Sequence, residues 1–112
     1  MDKLRTYKKL LKKLFKDYAS SAKPRQEGAI IQVVTDDEHG QYLLYHNAWQ
    51  NQERNYGCFL HISIRNDKIY IEHDGSNRGF TQDLLDAGIP KSDIVLAFHS
   101  PEKRPYTGFA IA

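Results

Sequence analysis

The stretch His99-Ser100-Pro101-Glu102-Lys103-Arg104-Pro105 gathers more chemically capable side chains than any other part of the sequence. An imidazole, a hydroxyl and two fixed cations lie beside Pro101 and Pro105, which stiffen the backbone, so the segment could form an anion-binding or partner-binding tip. His99 and Ser100 do not make a base and a nucleophile. Neighbours on an extended chain point apart, and no third, orienting carboxylate is evident. His99, Ser100, Pro101, Lys103 and Arg104 are therefore candidates for partner binding, with a structural turn as the competing reading.

Other chemistries fare worse. Five histidines invite a metal site, but no pair has the i, i+4 spacing of a helical zinc motif. Around Asn66-Asp67, pairing Arg65 with Lys68 sets Ile64 against Ile69 and Ile62 against Ile71. It also sets His61 against Glu72 and Leu60 against His73. That register puts His61 and His73 on opposite faces and leaves His61–Glu72 as a polar cross-strand pair. Cys58 and His61 are three apart, which on a strand also separates them, and Leu60 and Ile62 predict that the Cys58 face is buried. The thiol reads as structural. Asp36, Asp37 and Glu38 form an acidic turn without further oxygen ligands to complete a hard-cation site. "GSNRG" (75–79) lacks the Lys-Ser/Thr of a phosphate-binding loop and reads as the lead into a helix. No catalytic residue, metal or cofactor is expected, and with no paired carboxylate motif the chain does not read as an enzyme.

The elements that position these residues follow from periodicity. In residues 1–23, Leu4, Tyr7, Leu11, Leu14, Phe15 and Tyr18 recur at helical spacing, with Leu10 at the margin. Arg5, Lys9, Lys12, Lys13 and Lys16 fall on the opposite side. This amphipathic helix should end near Ser20-Ser21, before Lys23-Pro24. After Gly28 the pattern changes to β-branched and aromatic runs at 29–36, 41–49, 55–65 and 68–74, separated by short polar breaks. Their connections are too short for crossovers, which predicts a four-stranded antiparallel meander. A short helix over 81–88 is expected, with Thr81 as N-cap and Gly88 at its end. A closing strand at 94–98 follows. The fold class is a single α+β domain over residues 1–112, with helices covering one face of the sheet.

Composition bounds the function. At 112 residues, 40% apolar and 27% charged, the chain is a globular domain with one modest core. No apolar run approaches the ~20 residues of a membrane span. The basic N-terminus lacks the apolar core of a signal peptide. A lone cysteine rules out an internal disulfide framework. The reading is a cytoplasmic protein that does not engage membranes. Net charge is +2, yet residues 1–23 carry eight Lys/Arg against two Asp, while the remainder carries eight basic and twelve acidic residues. Positive charge is thus local to the first helix, and Arg5, Lys9, Lys12 and Lys16 are the candidate phosphate contacts if DNA is bound directly. An open sheet edge could also support a homodimer.

Several blocks together resemble the XisI-like family, which is named for a factor controlling excision of the fdxN DNA element in cyanobacteria. They are "MDKL..Y" at the start, "YGC.LHI.I" at 56–64, "KIYI..DG" at 68–75 and "GIPKSDIVLAFHSPEKRPYTGFAI" at 88–111. The resemblance runs nearly end to end, and the last block is its most specific part. It implies a small α+β accessory protein without catalytic residues or cofactors, encoded beside a XisH-like companion and acting with a site-specific recombinase. The sequence departs from the family pattern mildly, with Tyr70 where tryptophan is common, Ala97 where glycine is common, and Ser76-Asn77 where Thr-Glu is common.

Overall fold

The computed structural model describes residues 3–21, 30–76 and 79–112. The elements run α1 (Lys3–Ser21), β1 (Ile30–Asp36), β2 (Gln41–Gln50), β3 (Glu53–Arg65), β4 (Lys68–Asp74), α2 (Phe80–Asp86) and β5 (Ile94–Leu96), with 3₁₀ turns at Lys91–Asp93 and Arg104–Tyr106. One sheet has the order β1-β2-β3-β4-β5. The first four strands form the expected antiparallel meander. β5 then joins β4 in parallel. That direction follows from α2, which carries the chain back across the sheet before the last strand begins. Lys23 and Pro24 lie outside the described residues, as do Asn77 and Arg78 of the "GSNRG" loop.

The apolar stripe of α1 faces the sheet as its spacing predicts. Tyr7, Leu11 and Phe15 are buried, and Leu4, Leu10, Leu14 and Tyr18 pack at the margins of the same core. Phe15 meets the rings of Phe80 and Tyr42 edge-on, with centroids 5.2 and 6.2 Å apart. Such pairs add about 0.5–1.5 kcal/mol each beyond their burial. The sheet answers with Tyr42, Leu44, Leu60, Ile62, Ile64, Ile69 and Ile71 on its helix-facing side. Tyr7 also donates its hydroxyl proton to the Asp93 carboxylate, which ties α1 to the turn before β5. Burial, and then the Asp93 carboxylate, push the Tyr7 phenol up to about 12.

The turns are built from unusual backbone. Asn51-Gln52 and Asn66-Asp67 all have positive φ (51°, 68°, 52° and 60°), as two-residue hairpin turns of the mirror-image type require. Gly40 closes the β1–β2 turn at φ 63°. Its carbonyl accepts the Ile64 N–H at 2.8 Å, and a Cβ there would stand 2.6 Å from the Ile64 oxygen.

Three expectations change here. The second helix starts at Phe80 with Gly79 as N-cap, so Thr81 lies inside it. The first-turn N–H of Phe80 is instead met by the Asp74 carboxylate at 2.8 Å, which also receives the Ser76 N–H at 2.9 Å and the Ser76 hydroxyl. Its other end behaves as expected. Gly88, at φ 93°, allows Gly88 N–H to reach the Leu85 carbonyl (3.0 Å) and Ile89 N–H the Leu84 carbonyl (3.2 Å).

The closing strand stops at Leu96, with Ala97 and Phe98 in a turn and Phe98 49% exposed. A run of apolar letters cannot by itself distinguish a strand from the turn that ends it.

The third change is in register. The β3–β4 pairing holds from Arg65–Lys68 to Ile62–Ile71, then shifts by a bulge at Glu72, so His61 stands opposite His73 and Leu60 opposite Asp74. Glu72 pairs with Arg65 at 3.3 Å instead. A second bulge, at Phe59, falls between Leu44 and Tyr45 of β2 and pairs Cys58 with Tyr45. Each bulge inverts the alternation of faces beyond it. Phe59 therefore turns to the helix side, beside Tyr18 (5.9 Å) and His46 (5.9 Å). Cys58 lands on the outer face together with His61, contrary to the simple alternation.

Candidate functional site

The loop after β5 is shaped by its own backbone. His99 N–H bonds the Leu96 carbonyl (3.1 Å), and the Ser100 carbonyl accepts both Lys103 N–H (2.9 Å) and Arg104 N–H (3.3 Å). Pro101 follows Ser100 at the turn position its fixed φ suits, and Pro105 falls in the first turn of the 3₁₀ segment, where a missing N–H costs nothing. The Thr107 hydroxyl donates to the Arg104 carbonyl (2.8 Å) and accepts the Phe109 N–H (3.1 Å). The chain then returns to β5, where Ala110 bridges Val95 in parallel and its N–H reaches the Ile94 carbonyl at 2.9 Å.

Within this frame the five tip candidates separate. Arg104 is half-buried and turned inward. Its Nε donates to the His99 carbonyl at 3.0 Å and its Nη2 to the Ala97 carbonyl at 3.3 Å, so the guanidinium holds the loop's two limbs together. Ser100 supplies its carbonyl to the turn, and the His99 ring leans on Phe98 with centroids 4.6 Å apart. Pro101, Glu102 and Lys103 are exposed. Tyr106, 90% exposed, and Phe98 flank the loop as aromatic groups that motif reasoning passes over. Arg104 is thus architecture, while Pro101, Lys103 and Tyr106 stand exposed around it.

The basic helix divides as well. Lys12 pairs with Asp37 at 2.7 Å, Lys13 with Asp17 at 3.3 Å and Lys3 with Asp93 at 3.3 Å. Lys9 and Lys16 are exposed and carry no ion pair with a described residue. The acidic turn is likewise engaged. The Lys12 ammonium, then the Tyr42 hydroxyl at 2.8 Å, hold the Asp37 carboxyl below its ordinary range. His39, through its ring nitrogen at 2.7 Å and its N–H at 3.2 Å, does the same for Asp36.

The remaining candidates close off. Among the described residues no group of three or more His, Cys, Asp or Glu side chains is placed to hold a metal ion. His61 bonds the Gln41 carboxamide oxygen at 2.8 Å, which the Ser63 hydroxyl also reaches at 3.1 Å. Burial pushes the Cys58 thiol up, so it stays protonated and donates to the Leu60 carbonyl. The first turn of α2 is already served by Asp74, the chain's own anion. No helix among the described residues is long and apolar enough to cross a membrane.

Comparison with known proteins places this architecture. The family described as XisI protein matches residues 1–111. The chain belongs to the XisI family. Two solved structures from Anabaena variabilis share the fold. A XisI-like protein is 33% identical over 97% of this chain and 99% of its own, with a TM-score of 0.89. The fdxN element excision controlling factor XisI is 35% identical over 99% of this chain and all of its own, with a TM-score of 0.83. No curated protein matches the chain. The blocks that carried the resemblance thus extend to agreement over nearly the whole chain.

Proposed function

We propose that this protein is a non-enzymatic accessory factor in the control of site-specific DNA element excision, acting through a XisH-like protein partner. The observation that carries the reading is the end-to-end likeness to the fdxN element excision controlling factor XisI. The chemistry of the chain agrees with it. The one thiol is held neutral, His61 and His46 serve a hydrogen bond and a ring contact, and the loop after β5 uses its arginine to brace its own backbone. Such a molecule regulates by docking, and the exposed Pro101, Lys103 and Tyr106 form the surface we assign to the partner.

Co-purification with the genomically adjacent XisH-like protein tests this. A complex should form at micromolar concentration, and Lys103→Gln together with Tyr106→Ala should weaken it while the fold is unchanged. Absence of association between the two folded proteins refutes the partner assignment. A second reading, direct DNA binding, is favoured by the spacing of Arg5, Lys9, Lys12 and Lys16, which places four cations on one stripe of α1. It predicts a log–log salt slope of roughly −3 to −4 for four phosphate contacts. The Lys12–Asp37 pair competes with that role. Affinity unchanged by replacing all four with glutamine eliminates it.

A further inference from the structure

We infer that two copies of this chain pack face to face through the outer surface of the sheet, across a two-fold axis that runs strand ends in opposite directions. The helices cover only one side. On the other, the register lines up Ile30 and Val34 of β1, Leu43, Tyr45 and Trp49 of β2, and Tyr56 and Cys58 of β3. No described element covers this patch, and Trp49 is 63% exposed, Tyr56 55%, Ile30 55% and Val34 46%. Gln32, Val33, Val34, Leu43, Tyr45 and Tyr56 line a shallow groove within it.

Area and charge together point to a second copy. The exposed parts of these side chains amount to roughly 350–400 Å² of apolar surface per copy. A standard interface buries about 800 Å² per partner, a little over half of it apolar, so one patch supplies close to what one side of a stable dimer needs. The patch is also self-complementary in charge. Arg54 lies at one end, its guanidinium over Tyr56 (4.7 Å) and Trp49 (5.9 Å), and Asp36 lies at the other, with the apolar groups between. A two-fold axis across the strands sets each Arg54 against the partner copy's acidic end, as an isologous contact requires. The residues between these two ends are uncharged, and aromatic groups with arginine are enriched in interface centres. This self-association does not depend on the regulatory role proposed above, because the surface is separate from the loop after β5.

Trp49 is the only tryptophan, so the patch carries its own reporter. Sedimentation of the isolated protein over a concentration series should show a mass twice the 13.0 kDa of the chain. Trp49 emission should shift to the blue in step with dimer formation. Val34→Lys places a cation in the contact of each copy and should weaken self-association about 100-fold or more. Tyr56→Ser should weaken it in the same direction, with far-UV circular dichroism confirming that both variants are folded. Thr35→Lys, exposed on the opposite face of the same strand and outside the groove, should leave the dimer intact. A monomer at every concentration overturns the inference, even if another protein later buries Trp49. So does a dimer whose Trp49 stays solvent-exposed or resists Val34→Lys, because that places the contact at the β1 edge.

Discussion

Replacing Gly40 with alanine tests how tightly the β1–β2 turn is docked on β3. Two costs add at this position. An L-residue at φ 63° sits in the left-handed region, which costs about 1–2 kcal/mol. The new Cβ would also stand 2.6 Å from the Ile64 carbonyl oxygen, so the turn must shift and strain the 2.8 Å bond from Ile64 N–H to the Gly40 carbonyl. A weakened backbone bond adds about 1 kcal/mol, for a total of about 2–3 kcal/mol. In a domain of this size that lowers Tm by about 10 °C. Gly88→Ala is the internal control, because Gly88 has φ 93° but nothing within 4 Å of its added Cβ. It should lose only the conformational part, about 1–2 kcal/mol. Urea unfolding of both variants under identical conditions gives the comparison. Equal losses, within about 0.5 kcal/mol, would refute the close-approach argument and leave φ alone to explain the glycine.

Phe15→Ala should cost about 3–5 kcal/mol by urea unfolding, because its ring is fully buried between Tyr42 and Phe80. Arg104→Gln should lose about 1–2 kcal/mol of stability, since two charge-assisted bonds to the Ala97 and His99 carbonyls go with it, whereas exposed Lys103→Gln should be neutral in the same assay. The Tyr7 phenol, raised from 10.0 to about 12, makes the folded state hold a proton that the unfolded state releases first. Its stabilising contribution is therefore complete below pH 10 and lost as pH rises from about 10 to 12. Tyr7→Phe should flatten that alkaline limb in denaturation followed against pH. Conversely, the lowered Asp37 carboxyl contributes above its unfolded value near 3.8 and loses that contribution as pH falls through the folded value, so Asp37→Asn should soften the acid limb.

Much of the scaffold is legible in the sequence because it rests on local periodicity. The Leu4–Tyr18 stripe, the four strands, and the Arg65–Lys68 pairing around Asn66-Asp67 all follow from side-chain spacing and turn chemistry. The bulges at Phe59 and Glu72 do not, because an extra residue in one strand is chosen by how the sheet fits its helices. Their effect reaches far. Simple alternation buries Cys58 and hides the grouping of Tyr45, Tyr56 and Trp49, so the outer apolar patch is invisible until the register is known. At the tip, residue types suggested two equivalent cations. The structure makes Arg104 a brace and leaves Lys103 outside, a division set by the position of two carbonyls that no motif encodes. The parallel direction of β5 follows from α2, yet the length of β5 depends on where Phe98 finds no partner.

The parallel joining of β4 and β5 also sets an order in time. β1 through β4 connect through turns of two to four residues and can pair as soon as they are made. β4 must wait for α2 and the turn before β5. At a synthesis rate of about 5–20 residues per second, the stretch from Asp74 to Leu96 takes on the order of 1–4 s. For that interval the nascent chain carries an unpartnered β4 edge rich in isoleucine, alongside the open β1 edge. Closure of β5, followed by the Ala110 bridge, ends the exposure. Residues after Asp74 are thus the ones that cover the β4 edge, and translation pauses between residues 74 and 96 should raise the aggregated fraction more than pauses earlier in the chain.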